Sequence, residues 1–177
     1  GWISNPGYSG TEWNYYDPES GARVEGWQKI NGKWYYFLHH ALKGFQKIDG
    51  KWYYFDPVNS DMKTGWISKQ GVNDIVWCYF APESGEQLLG WQTIDGKTYY
   101  FNEFGEAFAG QVTFQDGKTY YFDPANCDLK TGWLELNGRK YYADPNDGGA
   151  FASNKTLVID GVSYTFGIDG SIINNEP

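Results

Sequence analysis

One short phrase recurs along this chain: a Gly-aromatic pair, a few polar residues, an Asn-Gly or Asp-Gly pair, then a run of aromatics. It reads Gly26-Trp27, Asn31-Gly32 and Lys33-Trp34-Tyr35-Tyr36-Phe37. It returns as Gly44-Phe45, Asp49-Gly50 and Lys51-Trp52-Tyr53-Tyr54-Phe55, and again as Gly90-Trp91, Asp95-Gly96 and Lys97-Thr98-Tyr99-Tyr100-Phe101. Further starts fall at Gly1, Gly65, Gly110 and Gly132, and a degenerate last unit holds Ile159-Asp160-Gly161-Val162-Ser163-Tyr164-Thr165-Phe166. The spacing suits two strands and a connector, and is too short for a helix-containing repeat. Asn-Gly or Asp-Gly between aromatic-rich runs predicts a β-hairpin, because a type I′ turn needs φ > 0 at both central residues. Each unit is then a hairpin that cannot bury its aromatic face alone, so neighbours must stack.

The expected fold is all-β: a solenoid of about eight stacked hairpins forming a single array over residues 1–177. Units are expected near 1–25, 26–43, 44–64, 65–89, 90–109, 110–131, 132–152 and 153–177. The first and fourth carry longer segments, residues 5–11 and 69–74, that read as loops. The end, from Ile173, reads as frayed. The chain opens inside a repeat, at Gly1-Trp2, as a trimmed mature segment would.

The two-residue turn fixes the register. Around Asn31-Gly32 it pairs Ile30 with Lys33, Lys29 with Trp34, Gln28 with Tyr35 and Trp27 with Tyr36. Side chains alternate in face along a strand. Trp27, Trp34 and Tyr36 therefore share one face, and Ile30, Tyr35 and Phe37 the other. The second is a packing face; the first is an aromatic plate larger than one hairpin needs. Aromatics make up 20% of the 177 residues, so the core is built from rings.

The net charge of −8 argues against nucleic acid and anionic lipid as partners, since both need a basic face. No apolar run is long enough for a membrane-spanning helix. Cys78 stands where other units have a strand tyrosine and Cys127 lies in a connector; both read as thiols. His39-His40 is an adjacent pair whose side chains diverge on extended chain, so no metal site is expected. Asp17, Asp56, Asp123 and Asp144 read as turn formers. No catalytic set, phosphate loop or cofactor motif is present, and the chain reads as a non-catalytic binding module without cofactor.

The iterated phrase, with its links Asp61-Met62-Lys63-Thr64-Gly65-Trp66 and Leu129-Lys130-Thr131-Gly132-Trp133, resembles the choline-binding, or cell-wall-binding, repeats of Gram-positive surface proteins. Glucan-binding repeats of glucosyltransferases and the repeats of clostridial toxins share the same grammar. The resemblance implies a left-handed solenoid with ligand sites between consecutive hairpins. Two tryptophans come from one hairpin, a tyrosine from the next, and an apolar connector residue closes the site. Carried over, one set is Trp27 and Trp34 with Tyr54 and Leu42. A second is Trp66 and Trp77 with Tyr100 and Leu88. A third is Phe45 and Trp52 with Tyr79 and Met62, and a fourth Trp2 and Trp13 with Tyr36 and Val24.

From Gly90 on the pattern departs. Thr98 and Thr119 replace the second tryptophan, Gln111 the first, and Lys140 stands where, in a cation cage, it would repel the ligand. Choline-type sites are therefore expected in the first half. The resemblance implies a cell-surface module that anchors to choline-bearing teichoic acids of the wall. Glycan binding and a ligand-free spacer or self-association role remain open at this point.

Overall fold

A computed structural model describes residues 1–7, 10–71 and 74–176, with backbone alone for 174–176. Among the described residues every regular element but one is a strand, and nearly every strand belongs to a hairpin. The chain divides into two compact units, 1–88 and 89–177, at the junction between the fourth and fifth repeats.

The first unit holds four hairpins. They are Trp2–Gly7 with Gly10–Tyr15, Gly26–Ile30 with Lys33–Phe37, Gly44–Ile48 with Lys51–Phe55, and Gly65–Gln70 with Ile75–Phe80. The short strand Met62–Lys63 adds to the edge of the third. The second unit holds Gly90–Ile94 with Lys97–Phe101, Gly110–Thr113 with Thr119–Phe122, Gly132–Leu136 with Arg139–Asp144, and Lys155–Ile159 with Val162–Phe166. Ala150–Phe151 extends the third of these, and Ile172–Glu176 the fourth.

The turn chemistry works as the sequence dictates. Asn31, Asp49, Asp95, Asn137 and Asp160 all have φ near +50°, each followed by a glycine with φ of +74° to +82°. This is the left-handed pair that a type I′ turn requires. The predicted pairing of the second hairpin is found residue for residue, Trp27 opposite Tyr36 and Lys29 opposite Trp34. The sixth unit differs: Phe114 N–H bonds Lys118 C=O and Gly117 N–H bonds Phe114 C=O, so the loop is one residue longer.

Three expectations need correction. In the first unit, the segments read as loops continue the ladders. Asn5 pairs with Glu12 and Pro6 with Thr11, while Lys69 pairs with Val76 and Gln70 with Ile75. Those hairpins are longer, not looser, because nothing breaks the pairing before the turn; residues 8, 9, 72 and 73 of the two segments lie outside the described residues. The tail is not frayed either. Residues 172–176 pair with Val162–Phe166, covering an otherwise open sheet edge; Pro177 lies outside the described residues.

Rings dominate the core of each unit. The phenylalanine that ends the second strand of six hairpins, Phe37, Phe55, Phe80, Phe101, Phe122 and Phe166, is almost wholly buried. Ile30, Tyr35, Ile48 and Tyr53 join them from the same strand faces. The connectors are built by the predicted aspartates. Asp56 Oδ1 accepts from the N–H groups of Val58 and Asn59, and Asp123 Oδ1 from those of Ala125 and Asn126. Asp17 and Asp144 form the same kind of turn.

Candidate functional site: aromatic clefts between hairpins

The aromatic plates of the first and second hairpins face the next hairpin and form clefts. On the second hairpin, Trp27 and Trp34 stand two rows apart on one face. Their rings meet at 87° with centroids 6.3 Å apart. The third hairpin presents Tyr53, 4.8 Å from Trp27, and Phe55 at 5.9 Å. The first hairpin repeats this arrangement. Trp2 and Trp13 lie 6.3 Å apart at 90°, with Tyr35 and Phe37 of the second hairpin 5.0 and 5.8 Å from Trp2. The same corner of two perpendicular indoles, floored by the next hairpin's tyrosine, is thus built twice.

The tyrosine is not the one expected. The carry-over took Tyr54 and Tyr36; the rings facing the earlier hairpin are Tyr53 and Tyr35. The reason is strand alternation. Tyr36 and Tyr54 lie on their own hairpin's aromatic plate, 5.1 Å from Trp27 and 4.7 Å from Phe45. The residue before each points the other way, back towards the previous hairpin.

Connector residues finish each cleft. Leu42 packs on the cluster of Ile48, Tyr53 and Phe55 together with Trp27, and Val24 packs on the cluster of Ile30, Tyr35 and Phe37 together with Trp2 and Trp13. Met62, assigned by resemblance to the third set, packs in the second interval with Trp27. It is bridged to Phe55, on the side of the third hairpin that faces the second. The connector backbone also braces the second tryptophan position. Ala41 N–H donates to Trp13 C=O at 2.7 Å, and Gln87 N–H to Trp52 C=O at 2.9 Å. Trp13 is half-buried, and Trp34 and Trp52 keep 39% and 43% of their surface, so these indoles are held yet open.

The third interval is built differently. Phe45 replaces the first tryptophan, and its nearest rings are Tyr54 and Phe80. Tyr79 lies against Trp66 at 5.1 Å, on the far side of its hairpin. The position equivalent to Tyr35 and Tyr53 is Cys78, a buried thiol paired across the ladder with Ile67. The position equivalent to Ile30 and Ile48 is Lys69, whose ammonium lies 5.7 Å over the Phe45 ring. The chain's own cation thus sits over this ring. Lys29 Nζ lies 5.7 Å over Trp34 in a comparable way, but from an exposed position on the same hairpin.

Trp66 and Trp77 share one face of the fourth hairpin, with Trp77 41% exposed. Their set takes Tyr100 from the second unit and stands as an expectation from sequence. Tyr100 itself packs on Trp91 of its own hairpin at 5.1 Å, and Leu88 N–H donates to Tyr79 C=O.

In the second unit the first tryptophan keeps its floor. Trp91 lies 5.1 Å from Tyr120, and Trp133 4.7 Å from Tyr164. The second tryptophan is gone, replaced by Thr98 and Lys140. Neither interval forms the two-indole corner.

Among the described residues no group of three or more His, Cys, Asp or Glu could hold a metal. His40 faces Glu12 at 3.6 Å. Burial pushes the Cys127 thiol up, away from a reactive thiolate.

Comparison with known proteins agrees with this architecture. The choline-binding repeat family matches residues 42–89 and 88–131, and the cell wall binding repeat matches 25–38 and 131–148. The chain belongs to the choline-binding repeat family. No curated protein sequence matches it. Among solved structures it is similar to choline binding protein F of Streptococcus pneumoniae, determined in the presence of a peptidoglycan analogue. The identity is 32% and the TM-score 0.83, over 98% of this chain and 57% of that one. CbpJ of S. pneumoniae TIGR4 gives 30% identity and a TM-score of 0.82 with the same coverage. CbpF in complex with ipratropium gives 30% and 0.81, over 98% of this chain and 59% of that one. The chain therefore spans a little over half the length of these relatives. Its repeats are of the choline-binding and cell-wall-binding kinds.

Proposed function

We propose that the first and second intervals of the first unit bind the choline groups of wall teichoic acids, and so hold the protein at the bacterial surface. The observation that supports this is the repeated corner of Trp2, Trp13 and Tyr35, and of Trp27, Trp34 and Tyr53. A quaternary ammonium has no N–H to donate, and is held by ring faces whose quadrupole attracts a cation. The Lys29 ammonium over Trp34 is consistent with a ring face that accepts positive charge.

Each ring contact contributes about 0.5–2 kcal/mol, so three rings give roughly a millimolar site once association costs are counted. One such site holds a protein weakly. Two on one scaffold act together, because the second binding event is intramolecular.

The test is a choline titration followed by tryptophan fluorescence and thermal melting. A ligand that binds only the folded chain raises Tm. A rise at millimolar choline, reduced in Trp34→Ala and Trp13→Ala, is the expected result. A Tm insensitive to choline rejects the reading.

A further inference from the structure

We infer that Met62 is a redox modification site, and that its oxidation by a peroxide weakens the second cleft while sparing the first. The inference rests on the choline reading of these clefts and adds a regulation to it.

Met62 is the chain's one methionine. Its side chain is half-buried, so a small oxidant reaches it. The two cysteines are buried, and burial pushes the Cys127 thiol up. A thiolate, not a thiol, is the reactive form of cysteine. The thioether is therefore the accessible sulfur.

Its place makes oxidation matter. Pairing with Phe55 holds Met62 at the edge of the third hairpin. Its side chain packs, together with Trp27, on the cluster of Ile48, Tyr53 and Phe55 that floors the second cleft. It also meets Gly85, in the connector after the fourth hairpin, where a Cβ would overlap Met62 Sδ and Cε. The Gly85 backbone is fixed by its N–H bond to Ala81 C=O at 2.8 Å and holds a φ of +74°. The thioether thus fills the space that any side chain at residue 85 would need.

The position differs from unit to unit. The residues bridged to Phe37, Phe80 and Phe122 in the same way are Ala41, Gln87 and Leu129. None of the three carries a sulfur. The first cleft is closed by Val24 and backed by Ala41, so a peroxide that reaches both clefts changes the connector of the second alone.

The step is a two-electron oxidation of sulfur. Met62 Sδ attacks one oxygen of hydrogen peroxide, and the S–O bond forms as the O–O bond breaks. The departing hydroxide takes the proton from the transferred oxygen and leaves as water, giving the sulfoxide. The new oxygen is a hydrogen-bond acceptor on a side chain packed against apolar rings and a glycine backbone. An acceptor without a donor in such a contact is costly. The side chain loosens from the cluster, and Trp27 loses its support.

The test treats the folded chain with hydrogen peroxide and follows intact mass, ligand-free Tm, and choline binding by tryptophan fluorescence. Trp13→Ala removes the first cleft and Trp34→Ala the second, so each is read alone. Uptake of one oxygen, mapped to Met62, is expected. Choline affinity is then expected to fall about tenfold in the Trp13→Ala chain and to hold in the Trp34→Ala chain. Whatever affinity Met62→Leu has, peroxide is expected to leave it unaltered. No oxygen on Met62, an unchanged affinity once it is there, or an equal loss in Met62→Leu or in the first cleft overturns the inference. If Met62→Leu does not fold, methionine sulfoxide reductase decides: removing the oxygen restores binding, and a loss that persists overturns the inference. If the untreated chain binds no choline, the choline reading fails. The ligand-free Tm then decides, a fall on oxidation supporting the Met62 switch and an unchanged value overturning it.

Discussion

Two neighbouring intervals of the first unit share a backbone and differ in what they can hold. The second has Trp27, Trp34 and Tyr53, with Ile48 beneath and Met62 on the connector. The third has Phe45, Trp52 and Cys78, with Lys69 in the isoleucine position and Gln87 on the connector. Both lie between antiparallel ladders, and in both a connector residue bridges to the buried phenylalanine, Met62 to Phe55 and Gln87 to Phe80. In this fold the scaffold is specified by turn residues and buried phenylalanines, and the ligand by four or five side chains on top of it. One can change without the other.

The largest effect should come from the part both intervals depend on. Phe55 is wholly buried, lies 5.9 Å from Trp27 and closes the third hairpin against Gly44. Phe55→Ala is expected to cost about 3–5 kcal/mol, the usual range for a buried phenylalanine that leaves a cavity. Denaturant unfolding measures it, and choline should protect this variant least. A loss under 1 kcal/mol would mean that the buried rings are not the main source of stability.

Next come the two exposed indoles. Trp34→Ala removes one wall of the second interval, while Trp52→Ala removes the equivalent ring from the third. Their exposures are close, at 39% and 43%, so their stability costs should be similar and small. Their effects on choline should diverge. Trp34→Ala is expected to weaken the second site by up to about thirtyfold, the value of one good cation–π contact, and Trp52→Ala to change nothing. Equal losses would show that the third interval binds after all.

A third effect lies in the connector that supplies Met62. The buried Asp61 carboxylate takes Lys63 at 2.9 Å and Lys33 at 3.1 Å. Burial acts to raise its pKa, but the hydrogen bonds from the two lysines outweigh it and hold the carboxyl below the usual aspartate value. A carboxylate with a depressed folded pKa contributes stability at neutral pH that is lost as pH falls through that value. Stability should therefore be level above about pH 5 and drop below about pH 4. Asp61→Asn should cost about 1–2 kcal/mol at pH 7 and flatten the acid limb. An unchanged acid limb would place the acid sensitivity elsewhere.

The repeat, the turns and the register were legible in the sequence because each has a local cause. Asn31-Gly32 determines its own geometry, and the geometry determines that Lys29 faces Trp34. The aspartate turns were legible for the same reason. What the sequence did not specify was set by contacts between units. Choosing Tyr53 over Tyr54 requires knowing which face of the third hairpin meets the second, and both candidates are adjacent tyrosines in a symmetric motif. Counting Cys78 back to the tyrosine column would have settled it, since a buried thiol replaces a buried ring more readily than an outward one. Lys69 was missed as a feature because, inside a segment read as a loop, a lysine looks like an ordinary solvated residue. Residues 5–7 and 10–11 were misread similarly, Pro6 and the glycines outweighing a ladder that tolerates them.

The smallest effect tests the contrast most directly. Lys69 reaches the Phe45 ring from the opposite hairpin, and its position is isoleucine in the two preceding units. Lys69→Ile restores the apolar residue and uncovers the ring face. Phenylalanine binds a cation less strongly than tryptophan, and Cys78 offers no second π surface, so the gain should be modest. One additional weak choline site is expected, visible as a slightly larger Tm rise at saturating choline with the tighter sites unchanged. If Lys69→Ile gives no further rise, the missing tyrosine at Cys78, not the lysine, is what closes the interval. If it gives a site equal to that on Trp34, the lysine alone had closed it, and the tyrosine floor matters less than the repeated geometry suggests.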